Sequence, residues 1–421
     1  MRSSWRLILI GAIAAVSSAA SAAPAYLVSE STGGNVWRIQ DVNNDGDALD
    51  VGERTLWATG LTLGASLESV GAGVFATDVH SPISPNLDQV VRLIDINGDG
   101  DALDAGESLI WADNLSLPLG SWYDSANGFY VAEQLTGDVL HFSDNNGDGD
   151  ALDAGESVLF ADGIAGARDL LPWGDDLLVS GLTLGEVFKL SDNNGDGDAL
   201  DLGERLPVLA GVTSAAGLMA DGNGGFFVTS LANAAVYHAT DKNGDGDFLD
   251  LAEVLVYADS VFGGIIEPWN MAAYPGGGFL LTDRASGKVL LARDGNGDGD
   301  ALDLGEVTVF ADGIPGGPID LALLPDADFD DDGDVDGFDF LTWQRGFGAD
   351  VGAGNMAPLA NGNANGDQFI DGDDFAIWEI QFGTTGLLTA QQAAATTVPE
   401  PSTLGLVFVA LGSALLRRRS L

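Results

Sequence analysis

The chain has 421 residues, with 64 Asp and Glu against 16 Lys and Arg, a net charge of -48, and no cysteine. That length accommodates one large domain and one small one. The charge excludes nucleic acid as a partner, since nucleic acid requires basic patches, and the missing cysteines exclude disulfides and thiolate metal sites.

Taken in chain order, Met1 to Arg6 is basic, Leu7 to Val16 is apolar, and Ala20-Ser21-Ala22 places small residues at the positions of a secretory cleavage site. Residues 1–22 are therefore expected to be a signal peptide. The apolar run is too short to span a bilayer.

A thirteen-residue segment then recurs six times, starting at Asp41, Asp95, Asp144, Asp192, Asp241 and Asp294, with spacings of 54, 49, 48, 49 and 53 residues. Such a period marks a repeat architecture. The pattern is D-x-N-x-D-G-D-x-x-D-x-[GA]-E. It sets side-chain oxygens at alternate positions around a glycine, as a chain does when it wraps a hard cation. The third copy, Asp144, Asn146, Asp148, Asp150, Asp153 and Glu156, resembles an EF-hand calcium loop in its first four ligand positions and in Gly149 at position six. Position twelve is Gly155, so either Asp153 or Glu156 closes the shell. Five acidic groups in thirteen residues repel one another without a counter-ion, and calcium is the expected one. The equivalent residues are Asp41, Asn43, Asp45, Asp47, Asp50 and Glu53; Asp95, Asn97, Asp99, Asp101, Asp104 and Glu107; Asp192, Asn194, Asp196, Asp198, Asp201 and Glu204; Asp241, Asn243, Asp245, Asp247, Asp250 and Glu253; and Asp294, Asn296, Asp298, Asp300, Asp303 and Glu306.

Between these loops one strand grammar repeats. Ala167 to Pro172, Leu177 to Ser180, Glu186 to Leu190 and Leu206 to Leu209 are four short strands joined by polar turns, and 26–324 carries no helical periodicity. The fold class expected is mainly β: a six-bladed β-propeller over residues 25–325, with one acidic loop per blade. The chain enters with what read as second and third strands and leaves with a first strand, Pro318 to Leu324, so both ends complete the first blade and remove an open edge. Gly225-Phe-Phe-Val-Thr-Ser230 and Gly287-Lys-Val-Leu-Leu291 give this grammar its resemblance to NHL-type six-bladed propellers, whose usual pattern lacks the acidic loops.

Strand parity puts the acidic loops on one face of such a propeller. The opposite face is expected to gather Glu68, Trp122, Tyr123, Arg168, Asp169, Glu267, Asn270 and Asp320. Glu68, Asp169, Glu267, Asn270 and Asp320 are the candidates for any catalysis, because a Glu, Asn and Asp set resembles the divalent-metal site of propeller lactonases. The alternative is that they cap strand ends, since fold does not imply activity. His80, His141 and His238 lie in separate repeats, and there is no nucleophile-elbow or phosphate-loop motif.

From Ala327 two carboxylate-rich loops each lead into an aromatic stretch. The first carries Asp328, Asp330, Asp332, Asp334, Asp336 and Asp339 before Phe340 and Trp343. The second carries Asn363, Asn365, Asp367, Asp371 and Asp374 before Phe375 and Trp378. This duplicated loop and helix pair resembles a type I dockerin module over residues 326–384, which implies calcium-dependent folding and a cohesin-like partner. Gln368 replaces the sharp-turn glycine of the second loop. Gly337-Phe338 and Gly372-Asp373 stand where cellulosomal dockerins present hydroxyl residues.

A linker over 385–397 leads to Val398-Pro-Glu-Pro-Ser402, an apolar run to Leu416 and Arg417-Arg418-Arg419. Together, 398–421 resembles a PEP-CTERM sorting signal of planctomycete-like bacteria. The resemblance implies export to the cell envelope, cell surface or extracellular space, transient membrane anchoring through a C-terminal hydrophobic helix, and processing by an exosortase-type enzyme. Two functions compete. One is a non-catalytic, calcium-stabilised surface or matrix protein that binds other molecules; the other is a secreted hydrolase or lyase acting on polysaccharide or lactone. A variant lacking Val398 to Leu421 is expected to be released into the medium while the parent is retained, as cell fractionation would show; equal fractionation of the two would refute the sorting signal.

Overall fold

The computed structural model describes residues 23–383, apart from 71–72, 81–87, 98, 125–127, 276, 331–334, 351–358 and 367–368. The expected signal peptide, the linker and the C-terminal apolar helix lie outside the described residues. Among the described residues, no helix is long and apolar enough to cross a membrane.

Among the described residues, twenty-four strands form six four-stranded antiparallel sheets. In chain order they are β1 (Tyr26–Glu30), β2 (Val36–Ile39) and β3 (Arg54–Ala58); β4 (Gly64–Val70), β5 (Gly73–Asp78), β6 (Asp88–Ile94) and β7 (Ser108–Leu115); β8 (Pro118–Asp124), β9 (Gly128–Glu133), β10 (Asp138–Phe142) and β11 (Ser157–Ala161). There follow β12 (Ala167–Trp173), β13 (Asp176–Gly181), β14 (Glu186–Leu190) and β15 (Arg205–Ala210); β16 (Ala215–Ala220), β17 (Phe226–Ser230), β18 (Ala235–Ala239) and β19 (Val254–Asp259); and β20 (Pro268–Ala273), β21 (Phe279–Asp283), β22 (Lys288–Ala292), β23 (Val307–Ala311) and β24 (Pro318–Leu323). The inner strands touch in the cycle β24, β4, β8, β12, β16, β20 and back to β24, which closes a six-bladed propeller. The first blade has the order β24-β1-β2-β3 and so draws on both ends of the array.

Burial explains the strand patterns. Second strands lie between neighbouring blades and are buried throughout, as in β1 and β21, so they read as unbroken apolar runs. Third strands alternate, and fourth strands expose their first residues at the rim. Apolar side chains pack between adjacent blades: Leu171, Leu178 and Val187 of β12 to β14 meet Leu218, Phe226 and Val228 of β16 and β17. The junction of last and first blades is built in the same way, with Leu280, Val289 and Phe310 against Tyr26, Val28 and Ile39.

Every inner strand carries a register shift against its neighbour just after its first residue, for instance between Ala167 and Leu170 and between Pro268 and Met271. The N–H groups freed by the shift are taken by hydroxyls of the second strand. Ser66 N donates to Thr77 Oγ1 at 2.8 Å, Asp169 N to Ser180 Oγ at 3.1 Å, Gly217 N to Thr229 Oγ1 at 2.7 Å and Asn270 N to Thr282 Oγ1 at 2.9 Å. Three of these hydroxyls then donate to the next blade, to Ala216 O, Trp269 O and Ile319 O. Ser180, Thr229 and Thr282, near the ends of their second strands, therefore each join two blades beside the axis.

Beyond β24, α1 (Gly337–Gly346) and α2 (Gly372–Gln381) form a small helical pair. Each starts at a capping box, Asp336 with Asp339 and Asp371 with Asp374. The two halves exchange tryptophan hydrogen bonds, Trp343 Nε1 to Asp371 O at 2.7 Å and Trp378 Nε1 to Asp336 O at 3.0 Å.

Because β24 covers the edge of β1, removing Asp320 to Leu421 is expected to lower the melting temperature by several degrees, whereas removing only Ala327 to Leu421 leaves the propeller melt near that of the parent. Scanning calorimetry of the two truncations checks this, and equal melts would contradict it.

Candidate functional site: the loop ring and the channel

The six acidic loops join third to fourth strands, and in an antiparallel blade this puts them on the face opposite the connections that enter the inner strands. Each is docked on its neighbour. The backbone N–H of its eighth residue donates to the fourth strand of the preceding blade: Ala102 to Trp57 O, Ala151 to Trp111 O, Ala199 to Phe160 O, Phe248 to Val208 O and Ala301 to Tyr257 O, at 2.7 to 2.8 Å. Ala48 N completes the ring on Phe310 O at 2.7 Å, tying the first blade to the last. At about 1 kcal/mol net apiece, six such bonds are on the order of the entire net stability of a typical domain.

Within a loop the first Asp is a backbone acceptor. Asp144 Oδ1 takes Gly147 N at 2.6 Å and Asp148 N at 3.2 Å, and Oδ2 takes Gly149 N at 2.9 Å. The bond from Gly149 is the chief cause of a lowered Asp144 pKa, and Asp192, Asp241 and Asp294 are lowered chiefly by Gly197, Gly246 and Gly299 in the same way. Gly149 has φ +101°, as the expected sharp turn requires, and Gly155 has φ +95°. The second value favours glycine over a carboxylate at position twelve, where the fifth loop holds Ala252 at φ +70°.

The carboxylate at position thirteen is a buried internal brace. Glu53 Oε1 accepts Val42 N at 3.1 Å and Asn43 N at 3.3 Å, and Oε2 accepts Asp50 N at 2.9 Å. Glu107 and Glu306 repeat all three bonds, and Glu156, Glu204 and Glu253 hold the same two ends of their loops. In the helical tail Asp339 does likewise, taking Phe329 N, Asp330 N and Asp336 N at 2.7, 3.1 and 2.7 Å. Asp374 repeats it for the second tail loop. One extra methylene in Glu matches one extra residue in the propeller loop. Asp153, by contrast, is exposed and accepts from the Asn146 amide at 2.6 Å, beside Asp148 Oδ2 at 3.1 Å. This amide bridge between positions five and ten recurs in the loops starting at Asp95, Asp192, Asp241 and Asp294. Among the described residues, Asp328, Asp330 and Asp339 are the three carboxylates whose oxygens come within 4.8 Å of one another. Asp332, Asp334 and Asp367 lie outside the described residues.

The residues expected at the other face do not share one mouth. Trp122 stacks on Tyr130 with centroids 5.3 Å apart and packs between blades, and Tyr123 packs with the cluster of Phe75 and Val90. Alternation along a strand sends successive side chains to opposite sides, a distinction that listing them by strand end overlooked. Glu267 sits at the rim and pairs with Arg284, Nε to Oε2 at 3.0 Å. Asp169, Asn270 and Asp320 occupy the same register position of three inner strands. Asp320 accepts Leu67 N at 2.7 Å, Asn270 Nδ2 at 2.5 Å and Leu321 N at 2.9 Å; Asp169 accepts Leu218 N at 2.7 Å. These carboxylates join neighbouring blades. Burial pushes Glu68 up to about 8, with Asp320 adding to it, Asp320 up to about 7 and Asp169 up to about 6. Burial also lowers Arg168, to about 10, against the pull of Asp169 and Asp320.

Arg168 itself was not among the candidates for chemistry, yet it spans the channel. Its guanidinium lies 4.4 Å from the Trp269 ring centroid, and that of Arg284 lies 4.6 Å from the same ring. Blade five leaves room for this with Ala216 and Gly217; a Cβ on Gly217 would stand 2.4 Å from Trp269 O. Among the described residues, Arg168 Nε and Trp269 Nε1 are buried without a partner, each at a cost of about 1 to 3 kcal/mol. As for the histidines, His141 stacks on Tyr130, His80 lies 3.6 Å from Asp78, and His238 bonds Asp221 at 2.7 Å.

No protein-family model matches the sequence, and no curated protein matches it. Among solved structures, the chain is similar to one in a nidogen/laminin complex, at 11% identity over 70% of this chain and 97% of that one, with a TM-score of 0.48. It is similar to a 6-phosphogluconolactonase-like protein from Bacteroides uniformis, at 15% identity over 70% and 86%, TM-score 0.44. A virginiamycin B lyase from Staphylococcus aureus stands at 12% identity over 70% and 86%, TM-score 0.42. The fold assignment rests on the strand pairing described above.

The raised carboxylates bind protons more tightly folded than unfolded, so their contribution to stability is full below the unfolded carboxylate range and is lost as pH rises through 6 to 8. Glu68→Gln is expected to raise the melting temperature at pH 8.5 while changing little at pH 5. A melt series over that window checks it, and a loss of stability at pH 8.5 would refute it.

Proposed function

We propose that this chain is an exported, calcium-stabilised β-propeller of the cell surface or extracellular matrix, acting as a non-catalytic binding or scaffold module. The observation that carries the reading is the loop ring: six near-identical segments whose donor sets are oxygen only, each hydrogen-bonded to the neighbouring blade. Oxygen donors in this number suit calcium, and the turn at Gly149 and its equivalents fits a wrapped cation. With Glu156 and its counterparts engaged by backbone N–H groups, Asp153 and its counterparts are the residues proposed to complete each shell, alongside positions one, three, five and seven.

The helical tail supports a dockerin-like calcium module in the same protein, with Asp328 and Asp330 converging beside Asp339, the brace of that loop. A cohesin-like or polysaccharide partner and processing by an exosortase-type enzyme belong to this reading. The competing hydrolase or lyase reading has carboxylates to call on in Asp169 and Asp320. Both, however, accept backbone N–H groups from neighbouring blades, a structural occupation for each.

The mature protein is expected to bind at least six calcium ions in the propeller and up to two in the tail. A ligand at 100 times its Kd adds about 2.7 kcal/mol per site, so chelation should lower the melt steeply. Replacing Asp144 and Asp148 together by Ala should remove one ion. Native mass spectrometry and melting with and without chelator decide it; no bound calcium and an unchanged melt would refute the reading.

A further inference from the structure

We propose that the channel mouth on the face opposite the acidic loops, centred on the Trp269 indole, binds the terminal residue of a neutral glycan. The proposal rests on the propeller being a binding module, and is independent of whether the loops hold calcium.

Two donors at this mouth lack acceptors. Arg168 is 3% exposed and Trp269 is 8% exposed, and Arg168 Nε and Trp269 Nε1 find no hydrogen-bond partner among the described residues. They belong to side chains in face-to-ring contact, so one ligand with closely spaced oxygens answers both. Access comes from the side of Arg284, whose side chain is 37% exposed, whose guanidinium lies 4.6 Å from the Trp269 ring and which is held at the rim by Glu267. When Arg284 swings out, an indole face is freed for the C–H face of a sugar, and the Glu267 carboxylate is freed to accept its hydroxyls. The connection that carries Glu267 also exposes Val261, Phe262 and Ile266, an apolar wall for an adjoining sugar ring.

Charge decides the class of ligand. Arg168 and Arg284 are opposed here by Asp169, Asp320 and Glu267, in a chain whose net charge is -48. An anion gains no net positive field, and a free cation leaves the two donors unanswered. A neutral polyol supplies acceptors for Arg168 and Trp269 and donors for Glu267 without desolvating a charge of its own.

The test is isothermal titration of the full mature protein, in calcium and again in chelator, with cellobiose, maltose, xylobiose, diacetylchitobiose and, as the charged counterpart, digalacturonate. At least one neutral disaccharide should bind. Trp269→Phe, which leaves a smaller aromatic ring and removes the N–H, should weaken it by about tenfold or more. Arg284→Ala, at the exposed rim, should tighten it by uncovering the indole, and this variant keeps the test decisive if Trp269→Phe misfolds. Binding of digalacturonate alone, no binding across the panel, or an Arg284→Ala variant that binds more weakly than the parent would overturn the proposal. A protein that binds sugar but no calcium would refute the loop reading and leave this one standing.

Discussion

Ring closure is the constraint on which the rest of this structure depends. A propeller blade has two large faces and cannot bury either alone, so six blades must meet neighbours on both sides. The chain closes that circle at three radii. Beside the axis, Thr282 Oγ1 of blade six donates to Ile319 O of blade one, and Asp320 of blade one accepts Leu67 N of blade two. In the middle, Phe310 and Leu280 pack on Tyr26 and Ile39. At the rim, the loop residue Ala48 bonds Phe310 O. The pairing of β24 with β1 makes the closing blade a composite of both ends, so an opening there must break a sheet as well as an interface.

Seen this way, the acidic loops and the channel carboxylates answer one requirement with opposite electrostatics. In the loops the first Asp is engaged by backbone N–H groups and, in four of them, shifted down, while the Glu at position thirteen is buried on backbone donors. The channel carboxylates are desolvated and shifted up. The channel carboxylates accept N–H groups from neighbouring blades, whereas the loop carboxylates brace their own loops, whose backbone N–H groups then bond the blade before. In a chain without cysteine and with a net charge of -48, hydrogen bonds to the buried carboxylates Asp320 and Asp169 are among the links between blades.

The tail repeats the loop solution in a helical setting. Asp339 and Glu53 brace their loops by the same three kinds of backbone donor. The difference of one residue in loop length is absorbed by one methylene in the side chain. Similar ends are thus reached where the following element is a helix in one case and an edge strand in the other.

The sequence by itself determined the repeat number, the strand grammar and the composite first blade, because these follow from periodicity and from which strand types stand at each end. It also marked every acidic loop, since each keeps the same carboxylates at the same spacing. Which carboxylate braces a loop was not legible: Asp153 and Glu156 are both acidic and near the loop end, and only the folded backbone shows which one the N–H groups face. The channel was less legible still. Trp122 and Tyr123 stand fifth and sixth in β8, Asp169 and Asp320 third in β12 and β24, and Glu267 just before β20, so position along the strand, alternation and a register shift in every inner strand send them to different places. Arg168 meets Trp269 across the small side of blade five, two residues a hundred positions apart whose contact no local pattern encodes, because only the closed ring brings their strands within reach.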